Sequence, residues 1–251
     1  MRLFVRVLPL LACIVIAAPA LADDVPSSIV DRSLSLEPST MQPSLGATFT
    51  HNGAVADPAP SNFEALEFGA DYGVVHHLQV GAVVDVTVSP SSEFTRGLVN
   101  GQYQFLAFAA IRLDLGAARF GNGDLGFAFG AGLPLRLKLS EQFALISSRP
   151  FAYGADDDLI SVQTGSGTIT QYRVPIGILY QLDKHVSFAG RTGFASQDTA
   201  RFVPFGADFT VSVSRLDFGV TFDLAGQIAP DAGPGFFDLI KLRAFAQFRL
   251  W

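Results

Sequence analysis

The sequence predicts an antiparallel transmembrane β-barrel of about twelve strands, with ten as the alternative count. Three observations carry this expectation: side-chain alternation of period two, an apolar excess with no long apolar run behind the N-terminus, and connections that alternate in length. The stretch 205–224, FGADFTVSVSRLDFGVTFDL, shows the unit most clearly. Phe205, Ala207, Phe209, Val211 and Val213 alternate with Gly206, Asp208, Thr210 and Ser212. After a short connection, Leu216, Phe218, Val220, Phe222 and Leu224 alternate with Asp217, Gly219, Thr221 and Asp223. Successive side chains of a strand leave opposite faces, so this pattern reads as two strands. One face is aromatic and aliphatic while the other is glycine, hydroxyl and carboxylate, the division a barrel needs between lipid and lumen.

Composition agrees. Hydrophobic residues make up 49% of the 251-residue chain and charged residues only 16%, against ~25% in an ordinary soluble domain. At the N-terminus Arg2 and Arg6 precede and enter an apolar run, Val7 to Ala18, and Ala20-Leu21-Ala22 gives a small-x-small cleavage site. That predicts a cleaved signal peptide over 1–22. The alternative is a lipoprotein signal at Leu10-Leu11-Ala12-Cys13, the only cysteine of the chain. Cleavage after Ala22 removes Cys13 and leaves neither disulfide nor thiol chemistry. No later apolar run reaches the ~20 residues a membrane helix needs, and a net charge of −6 speaks against nucleic acid as a partner.

Taken in order, 23–43 carries Pro26, Pro38 and Pro43 without a periodic run and reads as a periplasmic N-terminal segment. The barrel domain then occupies 44–251. Its expected strands are 44–51, 63–74, 79–88, 95–106, 111–119, 125–138, 143–153, 168–181, 186–195, 205–213, 217–226 and 237–251, mostly near the ~9–11 residues of a tilted membrane strand. Tight connections are expected at 75–78, 139–142, 182–185 and 214–216. Longer ones rich in Pro, Gly, Ser and Asp are expected at 52–62, 89–94, 154–167, 196–204 and 227–236, the two-sided arrangement of bacterial outer-membrane barrels. No break is evident within 102–118.

The polar face settles which side meets lipid. A soluble exterior would be dense in Lys and Glu, whereas this face holds Gly69, Gly81, Gly130, Gly177, Gly206 and Gly219 between isolated charges. Arg or Lys turned to lipid at the bilayer midplane costs ~2–4 kcal/mol. That cost places Glu67, Asp71, Asp85, Asp114, Asp208, Asp217 and Asp223 in the lumen, with Arg96, Arg112, Arg136, Arg173, Arg191, Lys241, Arg243 and Arg249. Two readings of these charges stand side by side. Facing acidic and basic walls select small solutes by a transverse field, or neighbouring charges neutralise one another in a packed interior. About twelve strands lies between the filled eight-stranded and the open sixteen-stranded barrel.

From Ser44 to Trp251 the chain resembles bacterial outer-membrane β-barrel proteins of the porin-like class. The terminal strand, 240-IKLRAFAQFRLW-251, ends on an aromatic residue, and its Phe248, Leu250 and Trp251 resemble the signal read by barrel-assembly machinery. The departure is one of parity: Arg243, Gln247 and Arg249 stand where that signal carries apolar residues, and Phe245 is the exception. The resemblance implies residence in the bacterial outer membrane, with membrane lipid, lipopolysaccharide and the assembly machinery as partners.

Several motifs carry less. Gly121-Asn122-Gly123-Asp124-Leu125-Gly126 matches a dinucleotide fingerprint, but an alternating strand follows it where a helix is required. His185-Val186-Ser187 has the H-x-S spacing of lipid A deacylases, without that family's asparagine. His76-His77 lacks a third ligand, and Asp156-Asp157-Asp158 reads as a solvated loop tip with Ca²⁺ as the alternative. No catalytic, cofactor-binding or metal residues are assigned. The expected function is a passive diffusion channel for small polar or ionic solutes, with Arg112, Arg173, Arg191 and Arg243 opposite Asp71, Asp85, Asp208 and Asp223. A non-conducting structural or surface-interaction barrel is the alternative, and a lipid hydrolase using Ser187 and His185 the third.

Overall fold

The computed structural model describes residues 28–53, 62–119, 123–148, 159–164, 168–197, 200–227 and 239–250. The expected signal peptide, the Asp156–Asp158 cluster and Trp251 lie outside these. Fourteen strand segments follow in order: β1 Met41–Asn52, β2 Asn62–Val75, β3 Leu78–Ser89, β4 Glu93–Leu106, β5 Ala109–Arg119, β6 Leu125–Gly132, β7 Arg136–Lys138, β8 Phe143–Ile146, β9 Ile160–Thr164, β10 Thr168–Gln181, β11 Val186–Gln197, β12 Ala200–Val213, β13 Leu216–Gln227 and β14 Leu239–Phe248. They form twelve staves of one closed antiparallel barrel. The ring closes where β14 pairs β1, from Ser44 against Gln247 to Asn52 against Leu239. Closure gives every stave a neighbour on both sides, which a wall in lipid requires because no water is there to satisfy a free edge.

Two staves are each made of two segments. Pro134 cannot donate to a ladder, and the sixth stave breaks there into β6 and β7. The seventh is β8 followed by β9: Ile146 lies between Arg136 and Gly177, and Ile160 between Ala131 and Tyr172. On β10 only residues 173–176 separate the two, while the chain supplies 147–159. The expected strand 143–153 thus stops at Ile146, ahead of Ser147, Ser148 and Pro150, and the expected loop 154–167 contains β9. Ile160-Ser161-Val162-Gln163-Thr164 does alternate, but over too few residues to announce itself. The expected loop 196–204 is likewise mostly ladder, since Gln197 pairs Ala200 and Ser196 pairs Arg201. Pro204, which suggested a break, sits where the β11–β12 register is interrupted. A tight turn at 107–108 supplies the break missing from the sequence pattern. Turns at 76–77, 107–108, 139–142, 182–185 and 214–215 define one end of the barrel, the turn end, and the other connections define the loop end.

Outward positions carry an apolar surface that runs around the wall, with Phe68, Val99, Ile111, Phe127, Val174, Ile178 and Phe209 all exposed. A continuous apolar surface of this kind is what lipid solvates. Inward positions carry Gly, Ser, Thr, Gln and charge. Among the described residues no helix is long and apolar enough to cross a membrane.

Residues 28–40 run inside the turn end of the barrel. Ile29–Asp31 forms a single 3-10 turn, and the remainder has no ladder partner, so its backbone groups need side-chain partners. Wall glutamines provide them. Gln181 Oε1 accepts from the Ile29 amide at 2.9 Å, Gln79 Oε1 from Leu36 at 2.9 Å, and Gln104 Oε1 from Leu34 and Ser35 at 3.1 Å each. Gln102 donates to the Leu34 carbonyl, and Arg136 donates to the carbonyls of Ile29 and Arg32 at 2.8 and 3.1 Å. Ile29 and Val30 pack with Ala144, Ile146, Leu179, Ala189 and Phe245. This explains Phe245, the apolar residue in inward register on the last strand. Gly73 completes the seat: its N–H donates to Thr40 and its carbonyl accepts from Ser39 at 2.8 Å each, and a Cβ there would collide with the Glu37 carbonyl.

Candidate functional site

Among the described residues, the charges of the strands gather in the lumen. All nine residues expected to set selectivity, Asp71, Asp85, Arg112, Asp114, Arg173, Arg191, Asp208, Asp223 and Arg243, occupy inward positions. They do not form facing acidic and basic walls, because most are tied to neighbours. Arg191 Nε donates to Asp208 Oδ2 at 2.6 Å while its Nη2 reaches Asp223 Oδ1 at 2.7 Å. Arg112 makes a two-pronged pair with Asp114, with Nε–Oδ2 at 3.0 Å and Nη2–Oδ1 at 2.9 Å. Arg243 pairs with Glu67, and Asp85 with Arg96. Arg243 is only 2% exposed, so exchanging its charge would leave two carboxylates together and perturb stability before selectivity.

Glycines make these bridges geometrically available. Arg191 on β11, Gly206 on β12 and Asp223 on β13 lie in one cross-strand row. A Cβ at Gly206 would stand 2.6 Å from Asp223 Oδ1 and 2.7 Å from Arg191 Nη2, so the guanidinium reaches the second strand only because the first has no side chain. Gly46 gives the same passage to Arg243 on its way from β14 to Glu67 on β2, and Asp71 leans across Gly81 toward Asn100. The glycine-rich inward face is thus the counterpart of the ion pairs.

At the turn end, Asp217 is fully buried between two guanidinium groups, Arg32 Nη1 at 2.8 Å and Arg249 Nη2 at 3.0 Å. Arg249 also donates to Gln42, which donates to Gln247. Arg32 belongs to the inserted segment, so this network ties it to the wall. Lys138 adds a half-exposed bond to Asp31 at 2.6 Å, which holds the Asp31 carboxyl below its ordinary value.

At the loop end the inward face surrounds a cavity of about 400 Å³, reached by Arg173, Arg191, Lys241, Asp223, Gln171 and Thr50. Pro175, Phe202, Pro204 and Leu239 line it as well. Of the nine expected residues, then, three meet at this cavity (Arg173, Arg191 and Asp223), and Asp208 stands behind Arg191. Asp71, Arg112 and Asp114 form a separate group on β2 and β5. Residues that the sequence reading did not single out are the wall glutamines and Arg32. Four glutamines in inward register near turns were the available signal.

The other motifs are placed as follows. His185 Nδ1 meets the Ser212 carbonyl at 2.8 Å, and Ser187 is 1% exposed on the lumen side, away from the lipid a lipid hydrolase must reach. Gly123 has φ +91° in the connection that leads into strand β6. His76 lies 3.7 Å from Glu37 with both side chains in solvent. Among the described residues no three of His, Cys, Asp and Glu converge to hold a metal. Phe248 and Leu250 face outward, Leu250 bridging to Met41.

No protein-family model matches the sequence, and no curated protein matches it. Solved structures do match in fold. The NanC porin shares 8% identity at a TM-score of 0.52, over 83% of this chain and 100% of that one. The KdgM porin gives 8% and 0.51 over 82% and 98%. An outer membrane channel from Pseudomonas putida F1 gives 10% and 0.53 over 86% and 97%. The chain therefore has the fold of porin-like outer-membrane β-barrels, a channel-like barrel spanning nearly the full length of those structures.

Proposed function

We propose that this protein is an outer-membrane barrel that passes small polar or ionic solutes passively through its lumen, with residues 28–40 as the closure of its turn end. The observation that carries the reading is the inversion of polarity across a closed wall: apolar outside all round, charged and hydrogen-bonding inside. Such a lumen holds water and ions at a dielectric a bilayer cannot offer, and its residual charge tunes what enters. The export signal over 1–22, the outer-membrane address and an assembly signal at Phe248, Leu250 and Trp251 belong to the same proposal. The outward placement of Phe248 and Leu250 supports the last of these. No catalytic step is assigned.

The test is single-channel conductance in planar bilayers of the mature protein and of a variant lacking 28–37. Small discrete steps in the parent and larger steps in the deletion are expected. Silence from a deletion variant shown to be folded and inserted would refute the channel reading. It would favour a non-conducting barrel, the reading supported by the density of buried ion pairs.

A further inference from the structure

Buried polar atoms in a folded protein are paired as a rule, and one left unpaired asks for a partner. Asn100 supplies the case. It is 8% exposed, its Nδ2 donates to the Asp71 carboxylate, and its Oδ1 meets no donor among the described residues. Both atoms hang on one carbon, so the open acceptor sits beside the same carboxylate that the donor binds. Exchanging the two would set oxygen against carboxylate, so Asp71 fixes the orientation of the amide.

Four inward positions place this group in one cross-strand row. Asp71 on β2 pairs Gly81 on β3, Gly81 pairs Asn100 on β4, and Asn100 pairs Asp114 on β5. Gly81 lets the side chains meet, because a Cβ there would collide with Asp71 Oδ1 and stand 2.9 Å from Asn100 Nδ2. The charge of the row does not balance. Asp114 is 1% exposed and bound by both prongs of Arg112, and Asp71 feels those same two charges, Arg112 attracting it and Asp114 repelling it. One guanidinium thus serves two carboxylates. Gln102, one inward position nearer the turn end than Asn100, donates to the Leu34 carbonyl, and Gln79 opposite it accepts from Leu36. The row therefore lies one step above the glutamines that hold the inserted segment, and half-buried Asp71 opens it to the lumen.

We propose that this row is a binding site for a small monovalent cation, met by the Asp71 carboxylate and Asn100 Oδ1, with the charge of Asp114 behind them. Hard cations take oxygen ligands, and a divalent ion calls for more anionic oxygens than Arg112 leaves here. Two carboxylates repel an anion. A water molecule would satisfy the acceptor but leave the second carboxylate without a counter-charge. The site deepens the lumen reading by naming a class of ion that the lumen holds. It rests on that reading only for access, since binding does not require passage.

The experiment is a sodium NMR titration of the folded mature protein in uncharged maltoside micelles, read as saturable broadening of the sodium line. Affinity in Asp71→Asn should fall at least tenfold, and Asn100→Leu should weaken it severalfold. Asp71→Asn keeps the Arg112–Asp114 pair, so in N-methylglucamine chloride its unfolding midpoint should match the parent's, which separates loss of the site from misfolding. In sodium chloride of the same ionic strength the parent's midpoint should rise above the variant's, because an ion that binds only the folded state stabilises it by mass action. Absence of saturable broadening in the parent would overturn the proposal, as would equal affinity in Asp71→Asn. An equal loss in Glu141→Gln, which removes an exposed carboxylate at a turn, would overturn it too, since attraction to net negative charge would then account for the signal. Bilayer conductance keeps the two readings apart: steps without saturable sodium binding refute only this site, and saturable binding without steps refutes only the channel.

Discussion

At the turn end of the lumen, inward apolar side chains are covered by Ile29 and Val30, a buried aspartate is shared by two arginines, and wall glutamines tie down the inserted backbone. At the loop end, the same alternating strands present half-exposed apolar side chains and charged groups around a cavity. The wall is the same in both halves; among the described residues, the turn end is where a segment of the chain fills the space. A twelve-stave ring lies between the filled eight-strand barrel and the open sixteen-strand one, and at its turn end the inserted segment completes the packing. Where residues 28–40 are inserted, the interior becomes a protein core. The ion pairs tell the two regions apart in energy as well. Removing one partner of a fully buried pair strands the other, whereas a partly wet pair is screened.

The largest effect expected from this contrast is at Asp217. Asp217→Ala leaves Arg32 and Arg249 buried without their anion, and should cost about 3–5 kcal/mol in urea unfolding of the refolded protein. It should also free residues 28–40, read as increased conductance. A parent-like unfolding midpoint would mean that the turn end is no tighter than the loop end.

Next comes Gly206→Ala, which drives a Cβ into the Arg191–Asp223 bridge and should cost about 1–3 kcal/mol by overpacking. The outward Gly101 has open space around its added Cβ, so Gly101→Ala should be neutral or slightly stabilising. Equal effects at the two glycines would remove the argument that bridges need the bare strand.

Lys241→Glu, at the loop-end cavity, should change stability by about 1 kcal/mol or less. It should nevertheless move the reversal potential in a salt gradient toward cation preference. Arg243→Glu should do the reverse, losing stability heavily before any change in selectivity can be read.

The smallest effect is in pH. The Asp31 carboxyl is held below its ordinary value of 3.8 by the Lys138 ammonium. A depressed value in the folded state means that the bond's contribution is complete above the unfolded value and is lost as pH falls through the folded one. Since Asp31 and Lys138 are both about 40% exposed, the contribution is largely screened. The gap in unfolding midpoint between parent and Asp31→Asn should be small and flat at neutral pH, closing below about pH 3.8.

Alternation, composition and connection lengths in the sequence carried the antiparallel barrel, about twelve strands with ten as the alternative, four of the five described turns at one end, and the inward face of the charged strand residues named from it. Period two leaves no freedom here: a shift by one residue would turn Arg112 or Asp217 into lipid. Neighbours in space were beyond its reach. That Arg191 reaches Asp223 across Gly206, that Gln104 binds Leu34 and Ser35, that the inward Phe245 is covered by Ile29, and that β9 continues a stave broken after Ile146 all depend on contacts between residues far apart in the chain. An alternating pattern specifies which face a residue occupies, because that is a property of one strand. It does not specify what stands opposite, because register and the path of an unpaired segment are decided only when the strands close on one another.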